Sequence, residues 1–413
     1  MRLSDLTRAL LAVLVSTTLL AVSGCAAQGN PVPVIPDVRS LDVGSNPIEA
    51  LVEPPNDNEG YGRTVESVRM VEVMIDPIEA DPALTFDVRG GFAPLPTPAK
   101  ATRFLAKPVR AVLDRHAMLA GASVSGTDVE QDEKRPVVGR SRVLTVLALR
   151  FPDAAAAQQA AREIDAVDSA ISPDNVAVAI PNHAAALGHW RPNVPTLAAT
   201  IAYESFVVTL LIGHTAPDLG VMTGVARNAF DAQLPRLREF SATPRDKLAT
   251  LPLDRDRLLA RMLPEVPGRW PYPVVITRAY EKNAGWHAAI DMSGVVLGPR
   301  GARLYRGRKQ DPPAELYALT ISNGLLQFSD ATAARRAFMD TSRTDDPVLR
   351  PAAGPAGVPD ARCFEQLDVP SQYPVRFICE ILYGRHTATV HGRDIKDAHQ
   401  QATAQLGLLV GGG

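Results

Sequence analysis

The chain has 413 residues, with 43 Lys plus Arg against 45 Asp plus Glu and a formal net charge of −2. That balance lacks the basic excess of a nucleic-acid-binding protein or of one that coats an anionic surface, and the length allows two ordinary domains. Basic residues are mostly Arg and Ala is abundant, a codon bias common in GC-rich genomes and suggestive of an actinobacterium.

The N-terminus carries Arg2 and Arg8, then the apolar run ALLAVLVSTTLLAV over residues 9–22. A bilayer-spanning helix needs about 20 apolar residues, so this run fits instead the core of a secretory signal peptide covering residues 1–24. The junction Val22-Ser23-Gly24-Cys25 resembles the lipobox of bacterial lipoproteins. In that family small residues let the peptidase approach an extended backbone, and the cysteine becomes a diacylglycerol-bearing N-terminus. The alternative is an ordinary secretion signal with a chance Cys25. Two or more acyl chains hold a protein stably at a membrane. No later segment has 18 uninterrupted apolar residues. The expectation is an exported protein, lipid-anchored at the outer face of the cell membrane and otherwise soluble.

Residues 25–60 hold Pro31, Pro33, Pro36, Pro47, Pro54 and Pro55 and read as a flexible tether, on the order of 30 Å long as a coil. From Thr64 the segment VESVRMVEVMI has a helical apolar face. A second helix is expected over about residues 102–119, interrupted by Pro108. RVLTVLALRF, residues 142–151, reads as a buried strand, and PDAAAAQQAAREIDAV as a helix with Pro152 in its first turn. Residues 197–212 read as two strands or a hairpin, and residues 218–238 as a helix. Near the end, CFEQLDVPSQYPVRFIC reads as strand, turn and strand, and Asp394 to Leu409 as a helix. With Cys25 in the anchor, Cys363 and Cys379 remain, and an exported chain with two remaining cysteines is expected to pair them. Closing that loop is worth roughly 3 kcal/mol. Two buried free thiols are the alternative, and two Cys fall short of a metal site.

FPDAAAAQQAA at 151–161 matches FSDATAARRAF at 328–338 at an offset of 177. FVVTLLIG at 206–213 corresponds in position and type to GRHTATVHG at 384–392. The repeated order of elements indicates two copies of one domain, residues 61–240 and 254–413, with a linker near 240–256. DRDRLLARMLPEVPG, residues 254–268, should be the first helix of the second copy. The fold class expected is α+β: two tandem antiparallel sheets with helices packed on one face, ferredoxin-like in spirit.

The VSGC junction, the GYGRTVESVRMVEVMIDP segment and the paired F-x-D-A-x-A-A helices resemble the uncharacterised two-domain lipoproteins of mycobacteria, nocardiae and their relatives. The resemblance spans most of the chain and implies location and fold, with no chemistry attached. A vaguer, fold-level similarity exists to the extracellular sensor domains of mycobacterial kinases.

Catalytic motifs are absent from the linear sequence. GASVSG at 121–126 lacks the G-x-S-x-G spacing and reads as a loop. GVVLGPRG at 294–301 lacks the Lys-Ser/Thr of a phosphate loop and reads as a hairpin or surface loop with no helix behind it. The acidic run at 128–135 reads as a solvated loop. No metal cluster such as H-E-x-x-H occurs: His386 and His391 should face opposite sides of a strand, and His183 and His189 fall in a loop or irregular helix. His116 and His287, at an offset of 171, suggest one ligand-binding position in both copies or a satisfied helix-end histidine. Trp270 and Tyr272, in GRWPYPVV, could dock a sugar or peptide or pack the linker onto the domain. No cofactor is expected beyond the diacylglycerol on Cys25. The expected role is non-catalytic binding or scaffolding, with an envelope protein, glycan or lipid as partner. A carrier of lipid or another apolar ligand would show a continuous cavity of several hundred Å3. A cell-wall hydrolase would need a site assembled only in space.

Overall fold

Two aspartates set the pattern of the repeat. Asp153 and Asp330 take the same extended backbone, and each accepts the amide three residues on at 2.8 Å. Each therefore caps a helix of small residues. Phe151 and Phe328, two positions earlier, are fully buried beneath those helices.

The computed structural model describes residues 37–130, 136–277, 290–306, 311–340, 346–369 and 375–412. In the first half α1 (Glu59–Val71) is followed by β1 (Phe86–Pro94), α2 (Pro98–Ala101), α3 (Val109–Arg115), β2 (Ala120–Thr127), β3 (Val143–Arg150), α4 (Ala154–Ser169), β4 (Val176–Val178), β5 (Leu187–Arg191), β6 (Val194–Tyr203), β7 (Phe206–Gly213) and α5 (Leu219–Arg238). The second half adds a separate strand pair, β8 (Val274–Thr277) and β9 (Ile290–Ser293). It then repeats the scheme with β10 (Val295–Leu297), α6 (Pro299–Arg306), β11 (Leu316–Leu319), β12 (Gly324–Gln327), α7 (Ala331–Met339), β13 (Leu349–Ala352), β14 (Ala361–Gln366), β15 (Phe377–Tyr383), β16 (His386–Gly392) and α8 (Ile395–Gly411). The sheet orders are β1-β2-β3-β7-β6-β5-β4 and β10-β11-β12-β16-β15-β14-β13. One topology occurs twice, antiparallel throughout, and the class is α+β as expected.

The helices cover both faces of each sheet, where one face was expected. In β3, Leu144, Val146 and Ala148 pack with α1 and α5, while Leu147 and Leu149 pack with α3 and α4. In the second sheet Ile381, Ala388 and Val390 meet α8, and Leu326 and Leu382 meet α7. The reason lies in the strands: β2 and β3 are buried at every position, so each face needs a cover.

Several local expectations are corrected. Of the helix expected over residues 102–119 only α3 forms, with Pro108 at its N-cap, while the short α2 ends just before the range at Ala101. GASVSG lies in β2, an interior strand between β1 and β3, rather than in a loop. GVVLG is followed directly by a helix, α6, with Pro299 at its start. Residues 254–264 form turns instead of a helix. Asp254 accepts the amides of Leu259 and Ala260 at 2.9 Å each, and Asp256 and Arg257 sit in the left-handed region at φ 57 and 56.

The same segment is nevertheless the counterpart of the end of α1. Gln233 on α5 accepts from the Ile75 amide at 3.0 Å and donates to the Val73 carbonyl at 2.9 Å. Gln405 on α8 accepts from the Leu263 amide and donates to the Arg261 carbonyl, both at 2.8 Å. Each glutamine is fully buried and clamps the opening segment of its own copy.

Residues 37–60, expected to belong to a flexible tether, are packed instead, and residues 25–36 lie outside the described residues. From Asp37 the chain lies along the second half as a strap. Val38 is buried against α8, and the Leu51 amide donates to the Ala260 carbonyl. Glu53 accepts from the Leu253 and Asp254 amides at 2.6 and 3.1 Å. Val38, Leu41, Val43, Ile48 and Leu51 supply an apolar row between the prolines. Cys363 and Cys379 are bonded, directly opposite on β14 and β15 with Cα atoms 4.1 Å apart. No helix among the described residues is long and apolar enough to cross a membrane.

Candidate functional site

α1 carries the geometry of the junction between the halves. Asn58 caps it, accepting the Gly60 amide at 2.8 Å. Gly62 permits the helix to lie on the turn at Arg245–Thr250: a Cβ there would stand 1.7 Å from the Leu248 carbonyl oxygen. The helix is buried against β2 on one side. On another it faces Val295 and Val296 of β10 across a cavity of about 640 Å3.

The cavity wall is apolar along Val65, Val68, Val73, Phe240, Leu251, Leu253, Val295 and Val296. Charged side chains Arg69, Glu72, Glu239, Asp254, Arg255 and Asp256 also line it. Two of the carboxylates are taken up by backbone. Glu72 accepts the Arg300 and Gly301 amides at the start of α6, at 3.0 and 2.9 Å, where negative charge is favoured. Gly298 leaves room for it, since a Cβ there would meet the Glu72 carboxylate at 2.6 Å. Asp254 caps the turn described above, and burial raises it above the usual carboxylate range despite the amides it accepts.

Behind the wall lies a buried ionic triad. Glu66 is fully buried and contacts Arg69 and Arg150 at 2.5 Å each. Its two oxygens also accept the Thr243 amide and hydroxyl, at 2.9 and 2.8 Å. Arg150 donates further to the Thr243 carbonyl. Burial lowers the Arg150 guanidinium from its ordinary value, with Glu66 opposing. Arg69 differs from Arg150 in access: its side chain is 40 % exposed, it lines the cavity and it lies 5.4 Å over the Phe240 ring.

The residues singled out from sequence are scattered. His116 caps the end of α3 and pairs with Glu163 at 3.0 Å, beside an Arg115–Glu163 contact of 2.5 Å. His287 lies outside the described residues. Its place in the chain, between β8 and β9, precedes the first strand of the second sheet, whereas His116 follows β1, so the two are not equivalent positions. Trp270 is buried in the core of the second half, and Tyr272 stacks on Tyr61 of α1 with ring centroids 4.8 Å apart. These two aromatics pack the incoming segment. Cys25 and the acidic residues from 131 to 135 lie outside the described residues, and among the described residues no group of His, Cys, Asp and Glu could hold a metal.

His189 is on β5 rather than in a loop, with Nδ1 3.1 Å from Asp165 and Nε2 3.4 Å from Asp168. Burial works against its charge, but the hydrogen bonds to both carboxylates prevail and lift it to about 9. The clamp ties β5 to α4. His386 and His391 lie on β16, where burial alternates residue by residue and places them on opposite faces.

Arg69, Glu66, Thr243 and the cavity went unseen in the sequence. One signal was available: Glu66 is a charge on the buried arc of a helix, one turn from the fully buried Met70, and buried charges are paired.

Two family models match the chain: the N-terminal part of a domain of unknown function (DUF7373) over residues 53–253, and its C-terminal part over residues 258–412. Neither a curated protein nor a solved structure matches it.

Proposed function

We propose, for a chain that belongs to the two-domain DUF7373 family, a non-catalytic binding role: the cleft between the halves takes up one small, largely apolar molecule. Cys25 carries the diacylglycerol that anchors the protein at the outer face of the membrane. The observation that supports binding is the cavity of about 640 Å3 at the junction, within the roughly 300–1,000 Å3 of small-molecule sites. It favours a ligand carrier over a pure scaffold. It lies between the two copies rather than between a sheet and its own helices, so the duplication itself builds the pocket. Export is supported by the signal-like N-terminus, the VSGC junction and the Cys363–Cys379 disulfide.

The test uses the soluble chain carrying Cys25→Ser and the neutral fluorescent probe N-phenyl-1-naphthylamine. One equivalent should bind, and binding should fall about tenfold or more when Val65→Trp or Val296→Trp fills the cleft. Equal binding by all three proteins would place the site elsewhere and overturn the reading. In the host, Cys25→Ser should also move the protein from the membrane fraction to the medium.

A further inference from the structure

We infer that the ligand of the cleft is an amphiphile with one anionic group, a carboxylate or phosphate ester, docked on Arg69. The inference rests on the binding reading above and adds the chemistry of the headgroup.

The argument is a count of charges and donors. Two guanidiniums, Arg69 and Arg150, share the single carboxylate of Glu66. That carboxylate already receives four hydrogen bonds, from Arg69, Arg150 and twice from Thr243, which fills its acceptor positions. One positive charge is left over. It is available only through Arg69, because Arg150 is 6 % exposed and Arg69 lines the cavity.

Arg69 has five N–H donors. Two on Nη1 go to Glu66 and the Thr243 hydroxyl, and one on Nη2 goes to the Ser241 carbonyl. Nε and one Nη2 hydrogen are left without a partner among these contacts, donors of the kind that charge-assisted bonds to a carboxylate or phosphate use.

The other charges of the lining do not cancel this one. Glu72 and Asp254 are bound by backbone amides. Glu239 is exposed, and Asp256 lies at the rim beside Arg255, 4.0 Å away with both side chains 59 % exposed. More exposed charges are screened more by water and salt, whereas Arg69, 40 % exposed, lies over the Phe240 ring in a cavity also lined by valines and is screened less. The apolar wall beside it suits the alkyl part of the same molecule.

The experiment displaces the neutral probe from the soluble chain with three twelve-carbon amphiphiles below their micelle concentrations: dodecyl phosphate, dodecanol and dodecyltrimethylammonium. Dodecyl phosphate should bind roughly tenfold or more tighter than the other two, the worth of a charge-assisted hydrogen bond. Arg69→Gln should reduce it to the level of dodecanol, and Arg69→Lys should restore part of the gap. The comparison of headgroups on the unaltered cleft does not depend on any variant folding. Dodecanol binding as tightly as dodecyl phosphate would overturn the anionic headgroup while leaving the cleft as a binding site. Probe binding that no amphiphile displaces would remove the cleft reading and this inference with it.

Discussion

His189 and His386 answer to pH in opposite senses, and each sense follows from its neighbours. His189 is held as an imidazolium between Asp165 and Asp168 and titrates at about 9. His386 is buried, faces the charges of Arg261 and Arg385 and titrates at about 4, with Gln327 at 3.3 Å from its Nε2. An unfolded histidine titrates near 6.5. The His189 contribution is therefore complete below pH 6.5 and is lost as pH rises through about 9. The His386 contribution is complete above pH 6.5 and is lost as pH falls toward about 4. Together they place a stability maximum near pH 6.5, with limbs worth on the order of 2 kcal/mol each after allowance for solvent access. Thermal midpoints across that range are the measurement. His189→Gln should flatten the alkaline limb and leave the acid one, and a flat profile in the unaltered protein would sink the account. At this scale the sequence was partly legible. The helix after Phe151 was legible but its start was not, since Asp153 is the N-cap and Pro152, expected in the first turn, precedes it; Cys363 and Cys379 were the one available pair. The partners of His189 are hidden because Asp165 lies 24 residues away on another element.

The elements that could be read were β3, a continuous apolar run buried at every position, and the helices α4, α5 and α8. β2 was misread because Ala, Gly and Ser have little strand propensity; its place is set by the partners β1 and β3 on either side. The segment after Asp254 has an apolar spacing that suits a helix, but the Asp254 carboxylate draws the Leu259 and Ala260 amides into a turn and Pro264 closes off continuation. What survives in both copies is the glutamine clamp. Gln405→Ala leaves the Leu263 amide and the Arg261 carbonyl unpaired in a buried setting. It should cost about 2–4 kcal/mol, read as a lower denaturant midpoint at unchanged m. Gln233→Ala should behave alike in the first copy. A loss under about 0.5 kcal/mol at both sites would mean water or relaxation satisfies those groups.

At the scale of the molecule the duplication was visible and the junction was not. The cleft draws on residues 65–73, 239–256 and 295–298, stretches with no common motif that meet only after both sheets have formed. The two halves are also joined energetically. Met292, Val295, Leu297 and Leu319 of the second copy belong to the same apolar cluster as Val68, Met70 and Phe230 of the first. Glu72 caps α6, and Arg303 meets Asp76 at 3.1 Å. Calorimetry should therefore show one unfolding transition in place of two, with calorimetric and van't Hoff enthalpies in agreement. Two resolved transitions would mean that the shared cluster couples the halves weakly. The strap adds a matter of timing. Asp42 is bound by Gln400, 358 residues later, and at about 5–20 residues per second the ribosome needs on the order of 20–70 s to make the intervening chain. The earliest segment of the body to emerge must wait unpaired for the last. The strap also carries Glu53, which holds down Leu253 and Asp254 at the cleft. A chain stopped short of α8 thus has both sheets in its sequence and no finished place for a ligand.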